Sequence, residues 1–296
     1  GFGRTSQNER DSPYLEPFVP AQPKNQGRVW ALRRTFDTFG PRMEIATWNV
    51  NSLRARMTRV LEFLEEKSPD VVCLQETKVI DDLFPAEPLE DLGYQVVFHG
   101  QKSYNGVAIL SKIGIEDVYR GLPGDPEGTE ARVIGATVGD VMVLNLYVVN
   151  GKTVGDPKYT YKLEWIDRVI ELMAERLPMT EKVVVTGDFN VTFDDRDVYD
   201  ADAWRDKILC SAPERDALAR LMKPGLNDAL RHFHQEEDIY TWWDFRTRGF
   251  RDNRGLRIDH FLVSDSALAQ ATDVQVDLAR REGLKPSDHA PVILSM

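Results

Sequence analysis

Short apolar runs and longer amphipathic stretches alternate along the chain from Met43 onward. Residues 43–48 (MEIATW) are typical of a buried strand. Between Leu53 and Leu64, apolar residues recur with a helical period, which predicts a helix with one face toward a core. Ser52 stands just before this stretch, where a side-chain oxygen can accept a hydrogen bond from a free backbone N–H. The pattern therefore predicts a strand followed by a capped helix.

The same plan then occurs again. Residues 71–74 (VVCL) predict a buried strand that stops at Gln75 and Glu76. Helical spacing between Ile166 and Leu177 precedes a second buried strand, residues 183–186 (VVVT), which stops at the sequence GDFN. Repetition of helix, buried strand and acidic loop suggests two similar halves that face each other. The predicted fold class is α/β (α+β), a four-layer α-β-β-α sandwich of two packed mixed sheets with helices outside.

Residues 1–42 differ from the rest of the chain. They are rich in Pro, Gln, Asn and Arg, lack a sustained period, and carry seven basic against four acidic residues. They contain no apolar signal-peptide core, so a cloning remnant, a mis-assigned start and a basic tail compete with a targeting role. We predict an N-terminal extension over residues 1–42 and a single domain over residues 43–296.

Composition and charge narrow the class of protein. The 296 residues are 42% hydrophobic and 29% charged, which is typical of a soluble globular protein. Residues 141–149, the longest nearly apolar run, are far shorter than the roughly 20 residues of a membrane helix. Two cysteines, Cys73 and Cys210, offer no disulfide framework, which suits the reducing cytoplasm. Because the net charge is −11, a polyanionic partner would need a local basic surface or a bound cation.

Polar side chains follow or begin most of the apolar runs. They are Asn49, Glu76, Tyr147, Asn150, Asp188, Asn190, Asp259, Asp288 and His289. Each alone is most simply a solvated turn residue or an Asx turn. Together they supply hard oxygen ligands, a second carboxylate, amides and a histidine. This combination indicates Mg²⁺-assisted attack of water on a phosphate ester.

The chemistry suggests a role for each type of residue. A phosphodiester repels hydroxide, so a cation held by carboxylate must neutralise charge, and Glu76 is the first choice of ligand. The attacking water needs a carboxylate with an amide beside it, which Asp188 and Asn190 can provide.

The remaining polar residues would act on the transition state. His289, Asn150 and Tyr147 can donate hydrogen bonds to its added negative charge. Asp259 can orient His289, and a histidine bonded to a buried carboxylate stays cationic to higher pH. This pairing favours an electrostatic role for His289 over a general-base role.

Seven segments, in this order, resemble the exonuclease III family of abasic-site endonucleases within the endonuclease/exonuclease/phosphatase superfamily. They are TWNVN, LQETK, HGQKSYNGVAIL, GDFN, TWWDFR, DNRGLRIDHFLV and KPSDHAP, and the resemblance runs from about residue 43 to residue 296. The resemblance implies a Mg²⁺-dependent enzyme, in which Mn²⁺ can substitute. It further implies a monomer that nicks double-stranded DNA 5′ to abasic sites and trims 3′ ends.

Matching positions carry the family's roles onto this chain. The resemblance implies metal binding by Glu76, with Asn49 and Asp288 in the metal shell. The other matching residues are Asp188 and Asn190 around the water, Tyr147 on phosphate, and the pair of Asp259 with His289. Val149 stands where many relatives have proline, which weakens the inference for Asn150. His260 follows the catalytic-type aspartate, and strand alternation predicts that it faces away from the site in a structural role.

The stretch from Thr241 to Asp259 interleaves aromatic residues with five arginines. It predicts a DNA-binding face on which Arg246 and Arg254 contact phosphates. The resemblance implies an apolar pocket for the flipped-out abasic sugar, and the positions that match it are Trp242, Leu256 and Ile258. Lys102 is a further candidate phosphate contact. The alternative is that several of these aromatics are core and that the arginines pair with Asp244 and Asp252.

Three other functions stay open at this stage. A general nuclease without abasic preference would differ mainly in its loops. A phosphatase or phosphodiesterase for inositol phosphates or sphingolipids would keep the sandwich and the chemistry, because fold does not fix function. A catalytically silent DNA-binding scaffold is opposed by the presence of every expected site residue.

Overall fold

The structure is a computed structural model that describes residues 42–125 and 130–296. The predicted extension lies outside the described residues except for Arg42. The elements below belong to one compact unit that begins at residue 41. Among the described residues, no helix has the length and apolar character needed to cross a membrane.

The described chain contains twelve strands and seven α-helices, joined by loops and short 3₁₀ turns. The strands are β1 (Glu44–Asn49), β2 (Val71–Gln75), β3 (Gln95–His99), β4 (Val107–Ser111), β5 (Glu116–Arg120), β6 (Val133–Val138), β7 (Val141–Tyr147), β8 (Lys182–Asp188), β9 (Leu226–Asp228), β10 (Asp259–Ser264), β11 (Asp273–Val276) and β12 (Val292–Ser295). The helices are α1 (Leu53–Lys67), α2 (Glu87–Glu90), α3 (Pro157–Arg176), α4 (Ala201–Trp204), α5 (Ala212–Met222), α6 (Ala229–Phe233) and α7 (Asp265–Leu268).

These strands form two six-stranded sheets. The first has the order β11-β12-β1-β2-β4-β3 and the second the order β5-β6-β7-β8-β10-β9. Each sheet contains one parallel pair at its centre, β1 with β2 and β7 with β8. The neighbouring pairs are antiparallel, so both sheets are mixed, as the sequence predicted.

Strand alternation divides the apolar residues between three cores. The inner core, between the sheets, holds Ile45, Val71, Cys73, Val107, Ile109, Val143, Val184 and Phe261. On the outer face of the first sheet, Trp48 and Val72 pack against Val60 and Phe63 of α1. Residues of α3 and α5 pack against Val183 and Val185 on the outer face of the second sheet. Helix, sheet, sheet and helix are therefore stacked, which confirms the four-layer sandwich.

One local prediction was wrong. Helix α1 begins at Leu53 as expected, but the side chain of Ser52 makes no capping hydrogen bond. Ser52 has a φ of 87°, and its backbone N–H donates to the carbonyl of Glu76 at 2.7 Å. The backbone N–H of Ser52 therefore joins the turn after β1 to the turn after β2.

The sheet registers bring the ends of five strands to one edge of the inner core. Asn49 and Gln75 are paired last residues of β1 and β2. On the second sheet, Tyr147 pairs with Asp188, and Asp188 pairs with Asp259 at the start of antiparallel β10. By alternation these residues share the inner face with the core residues two positions away. Polar side chains thus replace the core at this edge.

Candidate active site

Asp188, Asp259 and His289 form a buried cluster, here called the Asp188 group. His289 Nδ1 contacts Asp259 Oδ2 at 2.9 Å, and His289 Nε2 lies 3.7 Å from Asp188 Oδ2. Asp188 and Asp259 are each 1% exposed, and His289 is 4% exposed. Two carboxylates and one imidazole therefore share a region from which water is largely excluded.

The pKa values of Asp188 and His289 are both raised, but for different reasons. Burial raises the pKa of Asp188 to about 7, where the charge of His289 opposes the rise and that of Asp259 adds to it. Burial alone would lower the pKa of His289, but Asp259 and Asp188 raise it to about 10. His289 is therefore a cation near neutral pH, as the sequence argument predicted.

Glu76 is the centre of a second cluster, here called the Glu76 group, with Asn51, Lys78, Tyr147 and Asp288. Glu76 Oε1 accepts a hydrogen bond from Tyr147 Oη at 2.9 Å, and Glu76 Oε2 lies 2.6 Å from Lys78 Nζ. Lys78 Nζ also donates to Asn51 Oδ1 at 2.6 Å, and Asn51 Nδ2 donates to Asp288 Oδ1 at 3.0 Å. These contacts form a continuous network between the two carboxylates.

Both carboxylates of the Glu76 group are kept ionised. Burial would raise the pKa of Glu76, but the charge and hydrogen bond of Lys78 and the amide of Asn49 lower it. The pKa of Asp288 is also lowered, because His289 and the donors Asn51 and Trp242 outweigh its burial. Burial and the neighbouring carboxylates raise the pKa of Tyr147, which therefore stays a hydrogen-bond donor.

Asn49 joins the two clusters. Its Nδ2 donates to Glu76 Oε1 at 3.0 Å and to Asp188 Oδ2 at 2.9 Å. The turns around it adopt left-handed backbone conformations that non-glycine residues rarely use, including those at Asn51, Glu76 and Asn190. Such conformations persist where the surrounding structure holds them, and they concentrate at functional sites.

Asn190 lies beside Asp188, and Asn150 contacts Asn190. The backbone N–H of Asn190 donates to Asp188 Oδ1 at 2.9 Å. Asn150 Nδ2 donates to Asn190 Oδ1 at 3.0 Å, so Asn150 reaches the cluster although Val149 precedes it. The structure thus brings together all nine polar residues that the sequence singled out.

Four predicted DNA contacts lie in exposed or half-buried positions. Lys102, Arg246 and Arg254 are exposed, and Arg254 lies 3.2 Å from Asp252. Trp242 is half-buried, and its Nε1 donates to Asp288 Oδ2 at 3.1 Å. Trp242 therefore connects the predicted DNA-binding stretch directly to the Glu76 group.

Two other residues of that stretch are buried. Arg257 is completely buried, and its guanidinium pairs with Asp197 and Asp228, each at 2.7 Å. Trp243 is 1% exposed and packs against Phe250. The alternative reading, that part of this stretch is core, holds for these residues.

Leu256 and Ile258 are also buried. They are 0% and 1% exposed and pack with Val198, Leu209 and Cys210, while Trp242 lies beside this cluster. Leu256 exchanges backbone hydrogen bonds with Trp242 at 2.9 and 3.0 Å. They could contact a substrate only after neighbouring side chains move, and their role in a sugar pocket stays a prediction.

His260 lies on the opposite side of β10 from the Asp188 group. Its Nε2 contacts the carbonyl of Val191 at 2.8 Å, and its Nδ1 lies 3.1 Å from Arg257 Nη1. Burial and the charge of Arg257 lower the pKa of His260 to about 4, so it is neutral. These contacts agree with the predicted structural role.

Comparisons with known proteins place the chain in a family. The profile of the Endonuclease/Exonuclease/phosphatase family matches residues 46–289. The chain belongs to this family. Exodeoxyribonuclease III from Haemophilus influenzae is 37% identical over 262 residues, which cover 84% of this chain and 98% of that protein. The predicted relationship to the exonuclease III family is therefore confirmed, and the chain is a hydrolase of that family.

Solved structures give the same relationship. A 3′ phosphatase from Neisseria bound to a product DNA hairpin has 45% sequence identity and a TM-score of 0.84, with coverage of 85% of this chain and 98% of that chain. An AP endonuclease from Archaeoglobus fulgidus has 36% identity and a TM-score of 0.82, with the same coverage.

Sequence reasoning missed several residues of this candidate site. Lys78 was visible in the LQETK segment, but only the fold places its ammonium on Glu76. Gln75 and Asn145 are both completely buried, and Gln75 Nε2 donates to Asn145 Oδ1 at 2.7 Å between the two sheets. An amide inside an apolar strand was the available signal for this pair, since buried polar groups need partners.

Proposed function

We propose that the chain is a DNA repair phosphodiesterase that cleaves the DNA backbone 5′ to abasic sites. We include in the proposal a 3′-phosphodiesterase and 3′–5′ exonuclease activity. The observation that carries it is the meeting of the Asp188 group and the Glu76 group through one amide, Asn49. The names of the relatives, an exodeoxyribonuclease III and an AP endonuclease, support the choice of DNA as substrate.

The proposed cofactor is Mg²⁺, for which Mn²⁺ can substitute, held by Glu76, Asn49 and Asp288. The donor set fits, because two ionised carboxylates and the amide oxygen of Asn49 are the hard oxygen ligands that Mg²⁺ prefers. Asn49 would bind the cation through Oδ1 after its amide turns, since in the structure Nδ2 faces Glu76 and Oδ1 accepts from the N–H of Asn51 at 3.0 Å.

Asp188, Asp259 and His289 also have potential ligand atoms within 4.8 Å of one another. That group fits a cation less well, because cationic His289 contacts both oxygens of Asp259. On Glu76 the cation Lys78 contacts only Oε2, and the donors to Oε1, Tyr147 and Asn49, are neutral. When bound, the cation would neutralise charge on the phosphate and on the leaving oxygen.

Asp188 is proposed to orient the attacking water and accept its proton. A carboxylate with a pKa raised to about 7 is a stronger base than an ordinary aspartate, and about half of it is ionised at pH 7. The N–H of Asn190 fixes Oδ1, and Asn49 fixes Oδ2. The lone pairs of Asp188 are therefore held in a defined direction before substrate arrives.

His289 is proposed to stabilise the negative charge that develops on the oxygens of the phosphate. Its cationic form is maintained by Asp259, and it lies beside Asp188 in a buried setting where charges interact strongly. Tyr147 and Asn150 are proposed as further donors to the phosphate. Each is held by a partner, Tyr147 by Glu76 and Asn150 by Asn190.

Arg246, Arg254 and Lys102 are proposed as contacts to the DNA backbone. Their exposure supports this role, and a local basic surface is needed because the chain as a whole carries a charge of −11. Trp242, Leu256 and Ile258 are proposed to form the sugar pocket, which would select a flipped-out abasic sugar by excluding a base. The predicted monomeric state and cytoplasmic location stay predictions.

A second candidate function is 3′-end processing with little preference for abasic sites. Two observations favour it. The Neisseria relative with 45% identity is named as a 3′ phosphatase, and a second structure from Neisseria meningitidis with the same identity is named as a 3′–5′ exonuclease. In addition, Leu256 and Ile258 present almost no surface to a flipped-out sugar.

One experiment separates these functions. The protein is given three duplexes, one with a single tetrahydrofuran site, one intact, and one with a 3′-phosphate end, in Mg²⁺ and then with chelator. We expect the fastest cleavage at the tetrahydrofuran site and loss of all activity with chelator. Rapid release of 3′-phosphate without tetrahydrofuran cleavage would favour the second candidate. Equal cleavage of the first two duplexes would indicate a general nuclease. If no duplex reacts, a parallel assay with inositol phosphates and sphingolipids follows, and activity on those alone would contradict both proposals.

A further inference from the structure

Lys162 is a buried charge that the proposed chemistry does not use. It lies on α3, on the outer side of the second sheet, and is 0% exposed. Its ammonium contacts the carboxylate of Glu214 on α5, which is also 0% exposed. A buried ion pair is rarely favourable for stability alone, because removing two charges from water costs about as much as their attraction returns.

The other two hydrogen bonds of the Lys162 ammonium lead to the candidate active site. Lys162 Nζ donates to the backbone carbonyl of Asn190 at 2.7 Å and to that of Asn150 at 3.2 Å. These residues follow β8 and β7 respectively, so one ammonium group connects both loops. All three N–H donors of the lysine are satisfied in this way.

Glu214 is equally well satisfied. Its Oε1 accepts from the backbone N–H of Leu209 at 3.1 Å, and its Oε2 accepts from Ser211 Oγ at 2.6 Å. The carboxylate therefore fixes the position of the ammonium from the side away from the two loops. The loop after β7 packs closely on the lysine, since a side chain at Gly151 would meet Lys162 Cδ at 3.1 Å.

The path from Lys162 to Asp188 is short. The carbonyl of Asn190 is held by Lys162, and the N–H of the same residue donates to Asp188 Oδ1 at 2.9 Å. Asn190 has a φ of 51°, a conformation that needs support from its surroundings. A shift of this carbonyl would rotate the peptide units that aim Asp188 and would break the contact between Asn150 and Asn190.

We propose that Lys162 is a positioning residue, which with Glu214 holds the Asn150 and Asn190 loops in the arrangement that aligns Asp188 with its substrate. The inference rests on the proposed function for its kinetic consequences. Lys162 acts through the two asparagines and does not touch substrate.

The test compares Lys162→Met with the double variant Lys162→Met/Glu214→Met. The single variant leaves a buried carboxylate without its partner and is expected to lower the melting temperature. The double variant removes that unpaired charge and is expected to recover part of the thermal stability, because it also removes the acceptor of the Leu209 N–H and of Ser211 Oγ. In both variants kcat should be about 100-fold lower than in the parent protein, because a misplacement of a catalytic group by about 1 Å has an effect of this size. KM for DNA should change by less than about threefold.

Arg220→Met is the matched control. Arg220 Nη1 lies 2.6 Å from Asp167 Oδ1, so this pair also joins α5 to α3, but both side chains are exposed. We expect Arg220→Met to keep kcat within about twofold, because an exposed pair contributes little. Full recovery of kcat together with stability in the double variant would overturn the proposal and leave Lys162 with a purely structural role.

Hydrogen exchange gives a readout that does not depend on activity. In the double variant the N–H of Asn190 should exchange faster than in the parent protein, whereas the amides of α1 should be unchanged. Unchanged exchange at Asn190 would contradict the proposal. If the parent protein cleaves none of the three duplexes, the proposed function fails, and the exchange experiment still decides the role of Lys162.

Discussion

Glu76 and Asp188 arrive at the candidate active site by the same route and acquire opposite properties. Each stands at the C-terminal end of a buried strand that is preceded by an amphipathic helix, α1 for Glu76 and α3 for Asp188. The pKa of Glu76 is lowered, whereas that of Asp188 is raised to about 7. One amide, Asn49, donates to both carboxylates, so the difference comes from their other neighbours.

Those neighbours suit the two carboxylates to different chemical roles. Glu76 has an ammonium group at 2.6 Å, which favours an ionised carboxylate suited to a cation. Asp188 is more deeply buried and lies near the charge of Asp259. Both effects raise the pKa of Asp188 to about 7, which suits a general base at neutral pH. Equivalent places in a repeated structural plan can therefore carry different chemistry, because the environment sets the pKa.

The largest expected effect is that of Asp188→Asn. The amide keeps the shape and some hydrogen bonds but cannot accept a proton from water, so we expect kcat to fall about 10³- to 10⁴-fold. Affinity for the tetrahydrofuran duplex should change little, as measured by fluorescence anisotropy in chelator. Asp195→Asn, at an exposed position of the following loop, is the control. Retained turnover in Asp188→Asn would remove Asp188 from its proposed role.

Glu76→Ala tests the other half of the comparison. Loss of an ionised ligand should raise the Mg²⁺ concentration for half-maximal cleavage by about 100-fold, while saturating Mg²⁺ restores part of the rate. Cleavage is measured over a Mg²⁺ titration, with Glu87→Ala on the exposed face of α2 as control. An unchanged titration curve would exclude Glu76 as a ligand.

A smaller effect is expected for Trp242→Ala. This change removes the indole N–H that donates to Asp288, together with the ring beside Leu256. We expect cleavage at the tetrahydrofuran site to fall about tenfold, the size of a lost hydrogen bond to a charged group, with less effect on 3′-end trimming. Trp242→Phe, which keeps a ring without the donor, separates the two contributions. Equal losses in both reactions would argue against a role in abasic recognition.

The smallest expected effect is that of Lys78→Met, which tests whether the ammonium group of Lys78 competes with Mg²⁺ for Glu76. Its ammonium group occupies Glu76 Oε2, so its removal should lower the Mg²⁺ requirement by about threefold, the scale of a partly exposed ion pair. The same Mg²⁺ titration measures it. A higher Mg²⁺ requirement would mean that Lys78 organises Glu76 instead of competing for it.

In the stretch from Thr241 to Asp259, the sequence could not distinguish exposed arginines from buried ones. Arg254 and Arg257 are three residues apart and look alike in the sequence. Arg254 is exposed, and Arg257 is completely buried between Asp197 and Asp228. Asp197 lies 60 residues before Arg257, so no local pattern could have shown that the pair exists.

The sequence by itself determined the two helix-strand-carboxylate repeats, the sandwich and the nine polar residues that meet at its edge. Local periodicity fixes which face of a strand or helix is buried, and strand ends fix where polar residues collect. Only the tertiary structure decided what each polar group touches: Lys78 on Glu76, Gln75 on Asn145, and Lys162 on two loops. Ionisation and orientation depend on neighbours within about 4 Å, and packing of the two sheets and their helices sets those neighbours across long separations in the chain.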